Sequence, residues 1–383
     1  MWLTFLLLGT MLVLGMQLAF VLWNLFVFRG HRLPHPRMHS DEWHTDPPLI
    51  SVLIPARNEA RNIAACIQAV QHQHYRNIEI IVLDDQSEDQ TPAILEQLKR
   101  EESRLQVLSG RPRPRGWAGK VYACHQLSKQ ARGRYLLFLD ADARLENDAV
   151  ARALLAAEQQ QIGLITGFPK QVTRTWAERL VVPFMMFSIL CHLPLKLVRG
   201  SSDPKFVAAH GGFMFFHRDV YDHIGGHEAI ASSLVDDMDL ARRVKQGGHS
   251  VLLADLTSIC SMRMYTSFHE VWMGYQKNMY LLFGGNSFLL AAMMIGYSWL
   301  YVLSPVVMLC SLATGHWQAG ILAALNVLLG IFIKAIIDRR NSIPWIVSCF
   351  LPVSVVLVCA IGLSSWLKAK SGKGYTWKGR VYH

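Results

Sequence analysis

Charged side chains are absent from three long stretches of this chain, and cysteine occurs in no pattern that would hold a small domain together. Residues 1–28, 278–333 and 341–367 contain no Asp, Glu, Lys or Arg. The seven cysteines stand at positions 66, 124, 191, 260, 310, 349 and 359. Their odd number and unpaired spacing indicate neither a disulfide framework nor a zinc site.

The uncharged stretches predict membrane spans. Hydrophobic residues make up 51% of the 383 residues, which is high for a wholly soluble protein. A spanning helix needs roughly 20 apolar residues, so we expect an N-terminal anchor over 1–28 and about three further spans within 286–367. A cleaved signal peptide is the alternative for residues 1–28, but they lack a basic start and a small-residue cleavage pattern.

Basic residues predict the orientation of the chain in the membrane. Arg29, Arg32 and Arg37 follow the first span closely. By the positive-inside rule they place the juxtamembrane linker 29–48, and the domain after it, in the cytosol. We therefore expect a multi-pass protein of the cell membrane with its main domain cytosolic.

The same rule conflicts with four crossings. The basic cluster within 334–340 and the basic tail 368–383, which contains no acid, are also predicted to be cytosolic. An odd number of crossings between domain and tail would leave the tail outside. Either one run is re-entrant or the tail breaks the rule, and Pro344 and Pro352 make the last run the candidate for a broken or hairpin segment.

The net charge of +10 does not indicate a nucleic-acid partner. The basic residues cluster beside the uncharged runs and in the segment Arg111-Pro112-Arg113-Pro114-Arg115. Attraction to anionic lipid headgroups explains this distribution more simply. We expect a membrane partner and no nucleic acid.

The region 49–285 is predicted to be an α/β domain. Short apolar runs alternate there with helical patterns, which favours a mainly parallel sheet covered on both faces. Strands are expected at Ile50–Pro55, Ile78–Asp85, Arg104–Leu108, Tyr135–Asp142 and Ile162–Phe168. The uncharged segment 180–195 is too short to span a bilayer, and either a helix in the membrane interface or a buried core helix fits it.

Acidic residues follow two of these strands, at the edge where parallel sheets bind ligands. The first strand breaks at Pro55 and leads into Asn58-Glu59, where we expect the next helix to begin. The second ends in Asp84-Asp85, whose carboxylates can accept hydrogen bonds from the base or ribose of a nucleoside. Aspartates in such positions also form turns and helix caps.

Asp140-Ala141-Asp142 follows another apolar run. In an extended segment, residues two apart point to the same side, so both carboxylates can share a hard cation such as Mg²⁺ or Mn²⁺. Two acids buried without a cation would be costly. The pattern therefore predicts a metal site.

A third acidic pair, Asp236-Asp237, is predicted to begin a helix that ends at Gly247-Gly248. A carboxylate can accept the proton of a hydroxyl group during group transfer, and we choose Asp237 as this base. Aspartate also suits a helix start because of the helix dipole.

Two glycine-containing loops lie between these pairs. Lys120 ends the segment Gly116-Trp117-Ala118-Gly119-Lys120 and can neutralise phosphate, although a plain surface loop is the alternative. Gly211 and Gly212 leave room for a sugar ring, and we expect the adjacent His210 to be structural.

These motifs together resemble the family 2 glycosyltransferases with the GT-A fold, over roughly residues 49–285. The resemblance implies an inverting transferase that uses a nucleotide sugar, commonly UDP-linked, and Mg²⁺ or Mn²⁺. It implies catalytic roles for Asp237 and Asp236 and metal binding by Asp142 and Asp140. The implied nucleotide-sugar-binding residues are Pro55, Asn58, Glu59, Asp84, Asp85, Lys120, Asp140, Gly211, Gly212, Gln276 and Lys277.

Within the family, the anchor, the Gly-Trp-Ala-Gly-Lys loop and the ending 375–382 look like the branch that glycosylates carotenoid acids, the diaponeurosporenoate glycosyltransferases. Hopanoid-associated and ceramide glucosyltransferases look similar through the catalytic domain. Processive relatives carry Gln-x-x-Arg-Trp where this chain reads Gln276-Lys277-Asn278-Met279-Tyr280. We therefore expect transfer of one sugar to a lipid or carotenoid-type acceptor, with Lys277 as a phosphate contact.

Three other functions share parts of this sequence pattern. A processive polysaccharide synthase would share the domain, and a non-catalytic membrane sugar-binding protein would make Asp237 dispensable. A receiver-like signalling domain also pairs aspartates at strand ends, but it is shorter and does not need the third acidic pair.

Overall fold

The computed structural model describes residues 2–35, 46–371, 375–377 and 380–382. It divides into two compact units. The sheet unit comprises Val27–Lys170 and Pro194–Met264. The helical unit comprises Met1–Phe26, Gln171–Leu193 and Tyr265–His383.

The strands and helices alternate through the sheet unit, and long helices follow. The strands are β1 (Ile50–Ala56), β2 (Ile78–Asp84), β3 (Leu105–Ser109), β4 (Tyr135–Leu139), β5 (Ala143–Leu145), β6 (Leu164–Phe168), β7 (Lys170–Gln171), β8 (Phe213–His217), β9 (Val251–Asp255), β10 (Cys260–Met262), β11 (Tyr375–Trp377) and β12 (Arg380–Tyr382). The first eight helices are α1 (Trp2–Arg29), α2 (Ile63–Gln71), α3 (Thr91–Glu101), α4 (Gly119–Gln130), α5 (Ala149–Gln160), α6 (Trp176–Val181), α7 (Phe184–His192) and α8 (Leu195–Gly200). The others are α9 (Arg218–His223), α10 (Asp236–Gln246), α11 (Phe268–Leu282), α12 (Ser287–Tyr297), α13 (Ser304–Thr314), α14 (Trp317–Asp338), α15 (Trp345–Ser348) and α16 (Leu351–Lys370).

The main sheet has seven strands in the order β3-β2-β1-β4-β8-β6-β9. Every neighbouring pair is parallel except those of β8, which runs antiparallel to both β4 and β6. The prediction of a mainly parallel α/β sheet is confirmed. In the register, Ala56 pairs with Asp84 and Asp84 with Ser109, so β1, β2 and β3 end at the same edge.

Burial explains why these short runs become strands. All five residues of β4 are buried, and the first six residues of β2 are buried as well. Strands that are covered on both faces have nearly continuous apolar sequences. The core of the sheet unit includes Val52, Ile80 and Leu137 from neighbouring strands.

Most predicted strand ends differ from the structure by one or two residues. Two predicted boundaries are wrong by three residues or more, and local hydrogen bonds explain both. β4 ends at Leu139, because the Ala143 amide donates to the Asp140 carbonyl at 3.0 Å and closes a turn over the acidic motif. The helix after β1 begins at Ile63, not at Asn58. Asn58 has φ +52° and its Oδ1 accepts from the Glu88 amide at 2.8 Å, a side-chain bond that competes with helix formation.

Within the described residues, four helices are long and apolar enough to cross a membrane: Trp2–Arg29, Ser287–Thr314, Trp317–Asn341 and Leu351–Lys370. They coincide with the uncharged runs of the sequence. The second is continuous from α12 through a π-helical segment, Ser298–Leu303, into α13. Gly315, with φ +74°, makes the turn into α14.

The helical unit contains a buried ion pair one turn apart in α14. Lys334 Nζ lies 2.5 Å from Asp338 Oδ2, and both side chains are fully buried. Ser348 Oγ donates to the same carboxylate oxygen at 3.0 Å. Because charges are costly in an apolar unit unless they are paired, this contact ties the end of α14 to α15.

Most of the segment 180–195 forms α7 in the helical unit. Phe184 and Phe187 are buried, and their rings lie 5.2 Å and 6.3 Å from that of Tyr297. Asn24 of α1 donates to the carbonyl groups of Leu190 and Leu193 at 2.9 Å and 2.8 Å. The α7 face is therefore packed against helices of its own unit.

Parts of two predicted segments lie outside the described residues. Residues 36–45 of the linker, and Lys373 and Lys378 of the basic tail, are among them. The described part of the tail contains β11 and β12, which pair antiparallel with Tyr375 opposite Tyr382.

Candidate active site

The carboxyl edge of the sheet joins the first two predicted loops. The Asp85 amide donates to the Ala56 carbonyl at 2.8 Å, and the Gly110 amide donates to the Asp84 carbonyl at 2.8 Å. Asp84 Oδ1 accepts from the Ser87 amide at 3.2 Å. Asp85 is buried and Asp84 is half-buried.

Asn58 and Glu59, which follow the Pro55 end of β1, connect this edge to the loop after β2. The Asn58 amide donates to Ser87 Oγ at 2.9 Å, and the Glu59 amide donates to Thr91 Oγ1 at 2.8 Å. The Asn58 and Glu59 side chains are thus placed beside the Asp84-Asp85 turn by backbone contacts.

Sequence reasoning missed Arg57 as part of this arrangement. Its Nη1 donates to the carbonyl groups of Asp85 and Gln86 at 2.7 Å and 2.6 Å. Gln86 has φ +58°, a strained conformation for a side chain of its size. Arg57 therefore stabilises the turn that carries the two aspartates, although nothing in its local sequence pattern indicated this.

Lys120 brings the two later acidic motifs together. Its Nζ lies 2.7 Å from Asp140 Oδ1 and 3.8 Å from Asp236 Oδ2. Burial disfavours the charged ammonium, but the carboxylates of Asp140 and Asp236 outweigh it and hold the pKa of Lys120 well above its ordinary value. The start of α4, the end of β4 and the start of α10 thus meet at one ammonium group.

Asp237 is held by two backbone donors. The Gly211 amide donates to its Oδ2 at 3.0 Å and the Met238 amide to its Oδ1 at 2.8 Å. Burial of the carboxylate, with the neighbouring charge of Asp236, raises the pKa of Asp237 to about 6, against the opposing effect of Lys120 and the two amides. A carboxyl group with such a pKa is suited to accept a proton near neutral pH.

His210 shapes the loop that reaches Asp237. Its Nδ1 accepts from the Gly212 amide at 3.0 Å, and its own amide donates to Thr166 Oγ1 at 3.0 Å. Burial lowers the pKa of His210 to about 4, so the ring is neutral. The Gly212 carbonyl accepts from the Asp140 amide at 3.4 Å, which connects this loop to the acidic turn.

The acidic turn Asp140-Ala141-Asp142 supplies oxygen ligands of the kind that hard cations prefer. Among the residues that the structure describes, no group of three or more His, Cys, Asp or Glu side chains has the arrangement of a metal site. Two carboxylates at one turn fit a cation whose other ligands come from a substrate diphosphate and water.

Gln276 and Lys277 lie on α11 in the helical unit. The Gln276 side-chain amide donates to Ser364 Oγ, and its Oε1 accepts from Lys368 Nζ at 3.3 Å. Their assignment to nucleotide-sugar binding stays a prediction.

Residues 51–225 match the family model described as Glycosyl transferase family 2. The chain is 26% identical over 233 residues to a 4,4'-diaponeurosporenoate glycosyltransferase of Staphylococcus haemolyticus, covering 60% of this chain and 60% of the relative. A protein of the same name from Staphylococcus aureus is 24% identical over 345 residues, which cover 87% of this chain and 88% of the relative.

A Beta-monoglucosyldiacylglycerol synthase of Trichormus variabilis is 25% identical over 62% of this chain and 48% of the relative. The chain therefore matches less than two thirds of the length of two of these three relatives. Among solved structures, the mannosyltransferase PcManGT of Pyrobaculum calidifontis, in complex with GDP-Man and Mn²⁺, aligns with a TM-score of 0.51 at 16% identity. That alignment covers 94% of this chain and 99% of the other.

The parallel sheet and the structural likeness show that the chain has the GT-A fold. Residues 51–225 thus match glycosyltransferase family 2, and the chain is similar to proteins named as glycosyltransferases.

Proposed function

We propose that this enzyme moves a single sugar from a UDP-sugar to a lipid or carotenoid-type acceptor, with inversion at the anomeric carbon. The observation that carries the proposal is the Asp237 carboxylate, fixed by the Gly211 and Met238 amides and adjoining the Lys120, Asp140 and Asp236 cluster. A base, a phosphate-neutralising cation and a metal-binding turn thus lie at one edge of the sheet.

The nucleoside binds at the edge formed by Asp84 and Asp85, beside Pro55, Asn58 and Glu59. Carboxylate oxygens there accept hydrogen bonds from the base and ribose. This assignment is supported by the hydrogen bonds that join the two loops into one structure.

The diphosphate lies near Lys120, whose ammonium group is kept charged by its carboxylate neighbours. Asp142 and Asp140 would hold Mg²⁺ or Mn²⁺, and the cation would offset the negative charge that builds on the departing UDP. We place the sugar beside Gly211 and Gly212, since a Cβ added to Gly211 would lie 2.9 Å from Lys120 Nζ and the loop therefore adjoins the proposed diphosphate position.

In the transfer, the acceptor oxygen forms a bond to the anomeric carbon while the bond from that carbon to the phosphate oxygen breaks. For a hydroxyl acceptor, Asp237 takes the hydroxyl proton and Asp236 keeps the local charge negative. A carboxylic acid acceptor is already ionised near neutral pH, so Asp237 would then position it. A single displacement from the face opposite UDP gives inversion.

The names of the relatives point to two acceptor chemistries, a carotenoid acid and a diacylglycerol, whose glucosylated product the second name gives. Both are membrane molecules, and the four apolar helices of this chain are consistent with such an acceptor. The stretch 276–280 lacks the arginine and tryptophan of processive relatives. This supports transfer of one sugar and not polymer growth.

We further propose that the chain crosses the membrane three times and that α16 is re-entrant, with the sheet unit in the cytosol. Cys359 Sγ lies 3.9 Å from the Met294 carbonyl, and Trp366 Nε1 donates to Ser287 Oγ at 2.9 Å. α16 therefore runs antiparallel to α12, and its C-terminal end lies beside the beginning of α12.

Leu351, at the beginning of α16, lies beside the middle of the continuous helix formed by α12 and α13, and not beside its far end. A Cβ added to Gly330 of α14 would lie 3.2 Å from Tyr301 and 3.6 Å from Leu351. Ser287 and Tyr301 are separated by about 21 Å of helix, at 1.5 Å per residue, whereas the hydrocarbon core is about 30 Å thick. α16 thus begins inside the bilayer and returns to the side from which α12 started.

This arrangement resolves the conflict in the sequence, because Lys368 and Lys370 then lie on the cytosolic side together with Arg339 and Arg340. A green fluorescent protein fused after His383 should fluoresce in cells. Alkaline phosphatase fused after Gly315 should be active because that turn lies outside. The opposite pair of results would contradict the topology.

The catalytic proposal is tested by incubating the purified protein in detergent with single UDP-sugars, a lipid extract and Mn²⁺. UDP release with at least one donor, and lipid product that stays at one sugar per acceptor, is the expected result. Absence of UDP release with every donor would count against a UDP-sugar, and products with growing sugar chains would contradict single transfer.

A further inference from the structure

Lys245, in the last turn of α10, is a buried cation that the proposed mechanism does not use. The residue is 4% exposed. Its Nζ donates to three carbonyl groups from one stretch of chain: those of Leu197 at 3.3 Å, Ser201 at 2.9 Å and Phe206 at 2.6 Å. We propose that Lys245 is a positioning residue, which holds this stretch against α10 and thereby places the Gly211 amide against Asp237. The inference rests on the proposed function, in which Asp237 is the base.

The three contacts require a charged ammonium group. A lysine ammonium has three N–H donors and no acceptor, so one donor is available for each carbonyl. A neutral amine would turn its lone pair toward one of the carbonyl oxygens. Burial lowers the pKa of Lys245, and the charge of Asp203 opposes this effect. A buried charge whose donors are all satisfied acts as a fixed cross-link, because breaking any of its bonds leaves a buried polar group unpaired.

The chain between Leu197 and Gly211 is bonded to both ends of α10. At the start of the helix, the Gly211 amide donates to Asp237 Oδ2 at 3.0 Å. At its end, Lys245 holds residues 197–206. The two attachments are about 12 Å apart along the helix, at 1.5 Å per residue. Residues 207–210, which connect them, are all buried, so a shift of the Lys245 contacts is transmitted to Gly211.

A second anchor holds the same loop from the side of the sheet. Thr166 Oγ1, on β6, accepts from the His210 amide at 3.0 Å and donates to the His210 carbonyl at 3.2 Å. These bonds fix the loop relative to the sheet, whereas those of Lys245 fix it relative to α10. The Gly211 amide has to be aligned with both in order to meet Asp237. If Thr166 were sufficient, loss of Lys245 would have no effect at Gly211.

Hydrogen–deuterium exchange of the full chain in detergent tests this without catalysis. K245M removes the three donors and keeps a straight side chain of similar length. We expect the peptide over 207–212 to exchange several-fold faster in K245M, because the loop opens more often when one of its anchors is lost. The matched control is K205M, which removes the same charge from an exposed side chain of the same stretch and should leave the exchange unchanged.

The pH profile of kcat separates positioning from a general loss of stability. The hydrogen bond from the Gly211 amide lowers the pKa of Asp237. Weakening that bond in K245M should raise this pKa, so the acidic limb of kcat should move to higher pH. At neutral pH, kcat should fall at least about tenfold, because small misplacements of reacting groups are costly. A variant that is only less stable would lose active enzyme at every pH and keep the midpoint.

The variant K245R keeps the charge, but the donors of its guanidinium group lie in one plane and do not converge on three carbonyls as an ammonium does. It should fold and lie between the wild type and K245M in both readouts. Wild-type exchange at 207–212 in K245M, or an unmoved acidic limb, would overturn the proposal. If unfolding temperatures show that K245M does not fold, wild-type exchange in K245R would overturn it. Exchange needs no substrate, so an inactive wild-type enzyme would contradict the proposed function and leave this test valid.

Discussion

The backbone amide of Gly211 donates to the Asp237 carboxylate over 3.0 Å. This bond connects the loop before β8 to the first turn of α10, two elements separated by 26 residues of sequence. Because the Gly212 carbonyl of the same loop accepts a hydrogen bond from the Asp140 amide, the loop orients the Asp237 carboxylate and the acidic turn Asp140-Ala141-Asp142 together.

Replacing Asp237 with Asn should lower kcat about 10²-fold to 10⁴-fold, the range typical for loss of a general base. UDP-sugar binding should persist, since the amide keeps the shape of the side chain. Turnover and UDP affinity are measured separately. Asp239→Asn is the matched control, because Asp239 lies on the same helix and accepts hydrogen bonds from Ser233, which precedes the helix, and from Arg242. Equal losses in both variants would contradict the assignment.

Activity toward a hydroxyl acceptor should fall as the pH drops through about 6. The pKa of Asp237 is raised to about 6, so the carboxylate that accepts a proton is present above this value and is lost below it. Since the charge of Asp236 contributes to the shift, Asp236→Asn should move the acidic limb of the kcat profile to lower pH. An unchanged midpoint in that variant would assign the limb to another group.

We predict that His210 positions the Gly211-Gly212 loop through its Nδ1, which accepts from the Gly212 amide. His210→Ala removes the acceptor for the Gly212 amide and should lower kcat at least about tenfold, because small misplacements of reacting groups are costly. In His210→Asn, the side-chain oxygen can accept from the Gly212 amide, two residues further along the chain. This variant should therefore retain most of the wild-type kcat. If His210→Ala and His210→Asn have equal kcat at equal unfolding temperature, a hydrogen-bond acceptor at position 210 is not needed to position the loop.

Chelation of divalent metal should abolish turnover, and added Mn²⁺ or Mg²⁺ should restore it. Asp142→Asn should raise the metal concentration needed for half-maximal rate, because one of two carboxylate ligands is lost. Asp219→Asn serves as the control, since that side chain is 88% exposed and lies in α9, away from the acidic turn. Full activity in a chelator would remove the metal from the mechanism.

Much of the fold could be predicted because its signals are local. An apolar run such as Tyr135–Leu139 becomes a buried strand wherever it packs, and an uncharged run such as 1–28 becomes a long apolar helix. The residue types of the acidic motifs, and their places after strands or at a helix start, are likewise visible in the chain. Strand and helix periodicities are properties of neighbouring residues and need no tertiary contact.

The features that could not be predicted from the sequence depend on hydrogen bonds between residues distant in the chain. The turn that ends β4 at Leu139, the role of Arg57, and the contact between Gly211 and Asp237 arise only when separate segments meet. The position of Leu351 at the start of α16 is of the same kind, because it is located by its proximity to Gly330 and not by its own hydropathy. The amino-acid sequence by itself determined which side chains and which apolar lengths are available. The tertiary structure alone decided which of them face one another, because a hydrogen bond or a packing contact requires positions in space that periodicity does not encode.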